Sequence, residues 1–238
     1  MAFDFNGEGE ILCVDKPPGW TSFDVVRKVR NVFHIRKIGH AGTLDPMATG
    51  LLVLCTGPKT KKLDTFLAYD KEYSGTFEIG IETASYDKET PVVERKEWGH
   101  ITEELLRSAV HVHTGPLEQI PPMYSALKHK GRALYKYARA GEHVERSPRR
   151  VVVHDFSIGD IAFPVVSFTL RCSKGTYVRS LVHDVGVHLG TGAVLTALRR
   201  ESVGPWKVSD AFSIPQLLEM EVPTKQNEIK DDALLAKP

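Results

Sequence analysis

The sequence predicts an α+β fold, and three observations carry that prediction. Apolar and polar residues exchange at every second position around Tyr73, Phe77 and Ile79 and again at Val166, Phe168, Leu170 and Cys172, as on a strand with one buried face. Helical stripes appear at Val25, Val26, Val29, Val32 and Phe33 and at Val178, Leu181, Val182, Val185 and Leu189. The two kinds of segment follow one another in irregular order, unlike the regular alternation of a doubly wound sheet. No repeat and no low-complexity stretch interrupts them. A chain of 238 residues can bury one sizeable core, so the expected division is one main domain over 1–215 and a short tail over 216–238.

Taken in order, Ile11 to Val14 reads as a short strand and Asp15-Lys16-Pro17-Pro18-Gly19 as a rigid turn, since proline fixes its own backbone and donates no amide hydrogen. A helix follows: Thr21 and Asp24 have capping-box spacing, and the valine stripe faces the core. From His34 to Gly50 the periodicity vanishes and the chain reads HIRKIGHAGTLDPMATG, a glycine-rich loop of the length that carries function in compact proteins. Leu51 to Leu54 reads as a strand and Pro58 to Leu67 as a helix with proline in its first turn. The strand that follows points Tyr73 inward or into a cleft. Thr102 caps a helix through Val112; Gly115 to Pro122 reads as an irregular connection, and Arg132 to Ala140 as a short helix closed by Gly141. The polar, basic, proline-punctuated stretch 116–150 reads as an excursion from the sheet. Val151 to Ile161 and Val165 to Cys172 form a hairpin around Pro164, and Gly190 ends the last helix.

Composition narrows the function classes. A hydrophobic fraction of 42% and a charged fraction of 26% belong to a folded, soluble chain. Met1 to Glu10 lacks the pattern of a secretory signal and no apolar run approaches membrane-spanning length, so a cytoplasmic protein is expected. Cys13, Cys55 and Cys172 are odd in number, far apart and set among apolar neighbours, a pattern with neither a disulfide framework nor zinc spacing. P-loop, G-x-G-x-x-G and H-E-x-x-H motifs are absent, and His111 and His113 lack a third ligand, so neither metal nor cofactor is expected. The net charge of +1 is unevenly spread. Between Lys128 and Arg150 eight basic residues face only Glu142 and Glu145, and Tyr124, Tyr135 and Tyr137 interleave or flank them as on nucleic-acid surfaces. A second run, Arg27 to Lys37, reads as a solvated helix face, and the tail from Glu219 onward is acid-rich.

Asp45 is the candidate for chemistry. An Asp-Pro pair in a glycine-bounded loop either presents a carboxylate to a cleft or bonds its own backbone in a turn, and its immediate pattern leaves both open. The surrounding string, Gly39-His40-Ala41-Gly42-Thr43-Leu44-Asp45-Pro46-Met47-Ala48-Thr49-Gly50, closely resembles the catalytic loop of the tRNA pseudouridine-55 synthase family. The resemblance continues, in the family's order, through Asp15-Lys16-Pro17, Lys71-Glu72-Tyr73, Ile120 to Lys128, Lys174-Gly175-Thr176-Tyr177-Val178-Arg179 and Leu198-Arg199-Arg200. It implies the pseudouridine-synthase fold, a largely antiparallel mixed sheet flanked by helices with a basic RNA-binding insertion. It also implies an enzyme that isomerises the T-loop uridine of tRNA, at position 55. Only 28 residues follow Asp210, which is short of the PUA-type RNA-binding domain that many relatives append.

Residue by residue, the resemblance makes Asp45 the nucleophile or base at the glycosidic centre, with attack on the base or on the sugar both open. Arg179 matches the arginine that pairs with this aspartate; its other reading is a phosphate contact at a helix N-terminus. Tyr73 matches the tyrosine that stacks on the flipped base and assists proton transfer, with a core aromatic as the plainer reading. Tyr177 and Leu198 match apolar walls of the pocket, Lys16 a supporting lysine, and His40 a loop histidine near the base that leaves the stack. Lys128, Arg132, Arg146, Arg149 and Arg150 are expected to grip the RNA backbone. The implied partner is the T-arm stem-loop of tRNA, met by a monomer without cofactor or obligate protein partner. Three rivals stand beside this reading: a guide-RNA-directed pseudouridine synthase, an RNA-binding or tRNA-folding module without turnover, and a protein partner for the basic excursion.

Overall fold

The structure is a computed structural model in which residues 3–220 are described; most of the tail expected over 216–238 lies outside the described residues. In chain order the strands are β1 (Ile11–Lys16), β2 (Ile38–Ala41), β3 (Thr49–Thr56), β4 (Lys71–Ile79), β5 (Ile81–Thr83), β6 (Val92–Arg95), β7 (Gly115–Gln119), β8 (Lys128–His129), β9 (Arg132–Ala133), β10 (Arg149–Ala162), β11 (Val165–Cys172), β12 (Ala193–Val203), β13 (Trp206–Lys207) and β14 (Phe212–Ser213). The helices are α1 (Ser22–Val32), α2 (Leu63–Ala68), α3 (Glu103–Val112), α4 (Leu134–Arg139), α5 (Val178–His188) and α6 (Ile214–Glu219). The main sheet runs β14-β1-β3-β12-β4-β11-β10-β7. Its neighbours are antiparallel except β1–β14 and β3–β12, which are parallel. This is the mixed, largely antiparallel α+β sheet that the sequence predicts.

Side chains alternate across the sheet, and each face finds its own cover. On β3, Leu52 and Leu54 pack with Leu12 and Val14 against Val25, Val26 and Val29 of α1, Phe33 just after it, and Ile214 and Leu217 of α6. Leu51, Val53 and Cys55 point the other way, toward Phe66 of α2 and Val203. Across β12, β4, β11 and β10 the cover comes from α5 and α3, whose Leu181, Val182, Val185, Leu106 and Val110 close over Phe77, Val166, Phe168, Leu170 and Leu195. Thr21 caps α1 with the reciprocal bonds of a capping box through Asp24, as its spacing predicts.

Several readings of the sequence are corrected. The stretch from His34 to Gly50 is not all loop: β2 pairs with β3 from Ile38↔Thr56 to Ala41↔Val53, so only residues 34–37 and 42–48 are irregular. Four residues with a glycine among them are too short for any period to be read. The connection after Gly115 begins as β7, which pairs with β10 at the sheet edge, where a proline such as Pro116 is tolerated. The excursion therefore leaves the sheet over 120–148, not 116–150. The helix read from Pro58 starts as a 3-10 turn over Gly57–Lys62 before α2, and the one read from Arg132 is confined to α4 after β9. The strand β12, absent from the sequence reading, lies at the centre between β3 and β4. Both its faces are covered, so its apolar residues do not alternate with polar ones.

Candidate active site

The loop 42–48 joins β2 to β3 and is held from beneath. Ser22, at the start of α1, accepts the Leu44 amide at 2.9 Å through Oγ. Gly19 donates its amide to the Pro46 carbonyl at 2.8 Å, a link between the Pro-Pro-Gly turn and the Asp-Pro turn. Lys16, wholly buried at the end of β1, points its ammonium at three carbonyls: Trp20 at 2.6 Å, Pro17 at 3.0 Å and Pro46 at 3.2 Å. Burial pushes its pKa down to about 8. Lys16 thus fixes the shape of the loop and leaves Asp45 to face outward.

Asp45 points into a cleft, where Arg179 meets it with two parallel bonds, Nε to Oδ2 at 2.8 Å and Nη2 to Oδ1 at 3.0 Å. The pair is asymmetric: Arg179 is 3% exposed, while the Asp45 side chain keeps 33% of its surface open for a ligand. The rest of the guanidinium is tied down, with Nη1 donating to the Ser85 carbonyl at 2.8 Å and Nη2 to the Tyr124 carbonyl at 2.7 Å. Behind it lies Asp87, 1% exposed, with Oδ2 3.5 Å from Arg179 Nε. Burial raises the Asp87 pKa against the hydrogen bond from Ser85 and the charge of Arg179. One guanidinium therefore serves an open carboxylate and a closed one. This rigid fork fixes both oxygens of Asp45, which preorganises the carboxylate before any substrate arrives.

The cleft holds about 340 Å³ and is lined by Asp45, Tyr73, Tyr177, Arg179, Leu198 and Arg149, among others. That volume is at the small end of the range for ligand pockets and suits a single nucleoside. Tyr73 sits on β4 directly across from Arg200 of β12. Burial raises the Tyr73 pKa, and the charge of Arg200 opposes that rise. Arg200 is 1% exposed and anchored by bonds from Nε to the Leu51 carbonyl at 2.7 Å and from Nη2 to the Gly42 carbonyl at 3.1 Å. Lys71, also buried in the lining, donates to the Leu67 carbonyl at 2.7 Å, and burial pushes its pKa down to about 8. Leu198 and Leu44 supply the apolar wall.

Of the residues singled out in the sequence, Asp45, Tyr73, Arg179, Tyr177, Leu198 and Arg149 meet in this cleft. Lys16 lies below it. His40, on β2, lies outside the lining; its Nδ1 is buried without a hydrogen-bond partner among the described residues, and burial lowers its pKa. Lys128 and Arg150 are exposed. Arg132 pairs with Glu142 at 2.9 Å and lies over the Tyr137 ring, and Arg146 donates to the Pro121 carbonyl at 3.0 Å. Two site residues, Asp87 and Gln119, escape the sequence reading, and a third, Arg200, appears there only as the end of a motif string with no role given to it. Asp87 hides in Tyr86-Asp87-Lys88-Glu89, which has the look of a solvated turn. Arg200 sits on the strand that was not read. Gln119, 2% exposed on β7, clamps Tyr177 by accepting its amide at 2.7 Å and donating to its carbonyl at 3.0 Å.

Comparison with known proteins agrees with this geometry. Residues 30–178 match the TruB family pseudouridylate synthase N-terminal domain, and residues 179–237 the tRNA pseudouridylate synthase B C-terminal domain. The chain is 45% identical over 224 residues to a protein of Chloroherpeton thalassium named tRNA pseudouridine synthase B, covering 92% of this chain and 93% of that one. It is 47% identical over 211 residues to the protein of that name from Chlorobium luteolum, covering 87% and 73%. Among solved structures, a Cbf5-Nop10-Gar1 complex contains a chain of the same fold, with a TM-score of 0.69, 28% identity and 87% of this chain covered. This chain spans about half of that one, 53% of its length. No helix among the described residues is long and apolar enough to cross a membrane. Family descriptions over nearly the whole chain, close relatives of matching length and the fold agree: the chain belongs to the TruB family of pseudouridylate synthases.

Proposed function

We propose that this protein isomerises the T-loop uridine of tRNA to pseudouridine, acting in the cytoplasm as a monomer on the T-arm stem-loop and without an obligate protein partner. The observation that supports it above all others is the Asp45 carboxylate, fixed at both oxygens by Arg179 yet open to a nucleoside-sized cleft. The reaction breaks the bond between N1 and the sugar C1′ and forms one between C5 and C1′. A proton leaves C5 and N1 gains one, so no electron pair is lost and no group is transferred in or out. Asp45 is the group that meets the glycosidic centre, as the ionised acceptor of the pair. Extruding the base from the loop costs a few kcal/mol, which stacking on Tyr73 and contact with Leu198 offset. Arg200 lies across from Tyr73 and sets its charge beside the hydroxyl, which takes part in proton transfer. Lys128 and Arg150 present exposed cations to the stem phosphates, Arg132 and Arg146 stiffen the segment that carries them while adding their charge, and Arg149 meets the backbone inside the cleft. His40 supports the loop next to the extruded base. We place the catalytic unit at 1–215.

The test is incubation of the purified protein with an unmodified tRNA transcript and with its isolated T-arm hairpin, followed by carbodiimide-adduct primer extension. A new stop at the T-loop uridine, absent with Asp45→Asn, is the expected result. RNA that is bound but left unconverted by the wild-type protein would move the reading to a binding module without turnover.

A further inference from the structure

Arg149 differs from the other cations of the basic segment. It opens β10 and lines the catalytic cleft beside Thr176 and Tyr177. Its guanidinium lies over the Tyr177 ring, 4.4 Å from the centroid, and that ring belongs to a residue whose backbone Gln119 clamps. The plane of the guanidinium is thereby set. Its Nε and Nη2 are both buried and have no hydrogen-bond partner among the described residues. These two nitrogens form one edge of the group, with parallel N–H bonds. It is the same edge that Arg179 uses to hold both oxygens of Asp45. Arg149 carries the same fork, with no acceptor for it among the described residues.

Burying charged donors without acceptors is costly, because each loses its water and gains nothing in exchange. No acid relieves that cost here: burial lowers the Arg149 pKa, and only Tyr177 acts in the other direction. Such a fork fits a ligand that presents two oxygens on one atom, as a carboxylate or a phosphate does. On an RNA substrate the only such group is the phosphodiester.

We propose that Arg149 is the bidentate seat of a phosphodiester adjoining the flipped uridine, a subsite inside the cleft and separate from the surface cations that meet the stem. This rests on the RNA-modifying reading above, and adds which group of the target nucleotide is gripped and by what. The placement has a mechanical consequence. Tyr177, under Arg149, is the residue that precedes α5, and Arg179, which holds Asp45, is the second residue of that helix. One helix start thus sets the seat for the phosphate and the position of the carboxylate, so the sugar between them is registered against Asp45 from both sides.

The experiment uses T-arm hairpins in which a neutral methylphosphonate replaces the phosphate on the 5′ or the 3′ side of the target uridine, one at a time. Binding to wild-type protein, Arg149→Gln and Arg149→Lys is measured across a salt series, with thermal unfolding to establish that each variant is folded. On the unmodified hairpin, Arg149→Gln is expected to bind about 10- to 100-fold more weakly, the loss of a charged, two-bond contact. Its log–log salt slope is expected to flatten by about one. One of the two methylphosphonates should weaken wild-type binding by a similar factor and leave Arg149→Gln unaffected, because the fork it answers is gone. Arg149→Lys, a charge without a fork, should recover the salt slope but not the affinity, and it carries the same cycle if the glutamine variant does not fold. Equal losses in wild type and variant at both positions, or no loss in the wild type at either, would overturn the proposal. Failure of the wild type to convert the unmodified hairpin would instead count against the reaction, while the binding cycle would still read the fork.

Discussion

Arg179 is shared between two carboxylates of opposite character, and the difference decides what each substitution does. Asp87 is closed off at 1% exposure, whereas Asp45 reaches solvent through the cleft. Removing the guanidinium strands Asp87 with one hydroxyl partner, Ser85, and one amide partner, Glu89. Breaking a buried pair from one side costs about 3–5 kcal/mol, because the remaining charge has neither water nor partner. Arg179→Met should therefore lower unfolding stability by about that much in a urea titration and abolish conversion. Adding Asp87→Asn should return part of the stability, since the stranded charge is gone, and none of the activity, since Asp45 remains unheld. Full additivity of the two losses would show that Arg179 and Asp87 act independently.

At the scale of elements, the site depends on a close approach between β3 and β12, two strands that run parallel and are far apart in sequence. Arg200 pairs with Gly50 in that ladder, and Gly50 has a φ of +98°. A Cβ at Gly50 would lie 2.4 Å from the Arg200 carbonyl oxygen and 2.7 Å from its amide nitrogen, so only glycine fits. Gly50→Ala should cost at least about 1–3 kcal/mol of stability through backbone strain alone. Because it displaces the strand that carries Leu198 and Arg200, conversion should fall even in preparations shown to be folded by circular dichroism. The same junction marks the limit of what the sequence reveals. Thr21, the valine stripe and the alternation through Tyr73 are local signals, and α1 and β4 are legible from them. Asp45, Tyr73 and Arg179 are legible as a set because long motif strings surround them. The strands β2, β7 and β12 are specified by partners elsewhere in the chain: one is too short for a period, one carries a proline at an edge, and one is covered on both faces. Asp87 becomes a site residue only through those pairings, with nothing in its neighbourhood to mark it out; Arg200 ends a motif string, but its place across from Tyr73 follows only from the pairing of β12 with β4.

At the scale of the whole molecule, the sheet buries titratable groups of both kinds, and their opposing shifts set a pH of greatest stability. Lys16 and Lys71, both held by carbonyls, are pushed down to about 8 from 10.5 by burial. Cys13, Cys55 and Cys172 are pushed up to about 11 from 9.0, again chiefly by burial. Stability rises with pH wherever the unfolded chain holds more protons than the folded one, and falls in the opposite case. Between about pH 8 and 9 the folded lysines have released protons that the unfolded ones keep, so stability should climb. From about 9 to 10.5 three thiols that keep their protons only when folded outweigh the two lysines, and above that they act alone, so stability should decline. The maximum therefore falls at about pH 9, and thermal midpoints taken from pH 7.5 to about 10.5 are the measurement that locates it. In Cys55→Ala/Cys172→Ala one thiol remains against two lysines, the balance above pH 9 changes sign, and the maximum should move up toward about pH 10.5. A steady decline from pH 8 in the wild-type protein would mean that Lys16 and Lys71 do not share their protons with the fold in this way, and would remove the reason for reading their carbonyl cages as the supports that hold the catalytic loop and the cleft in place.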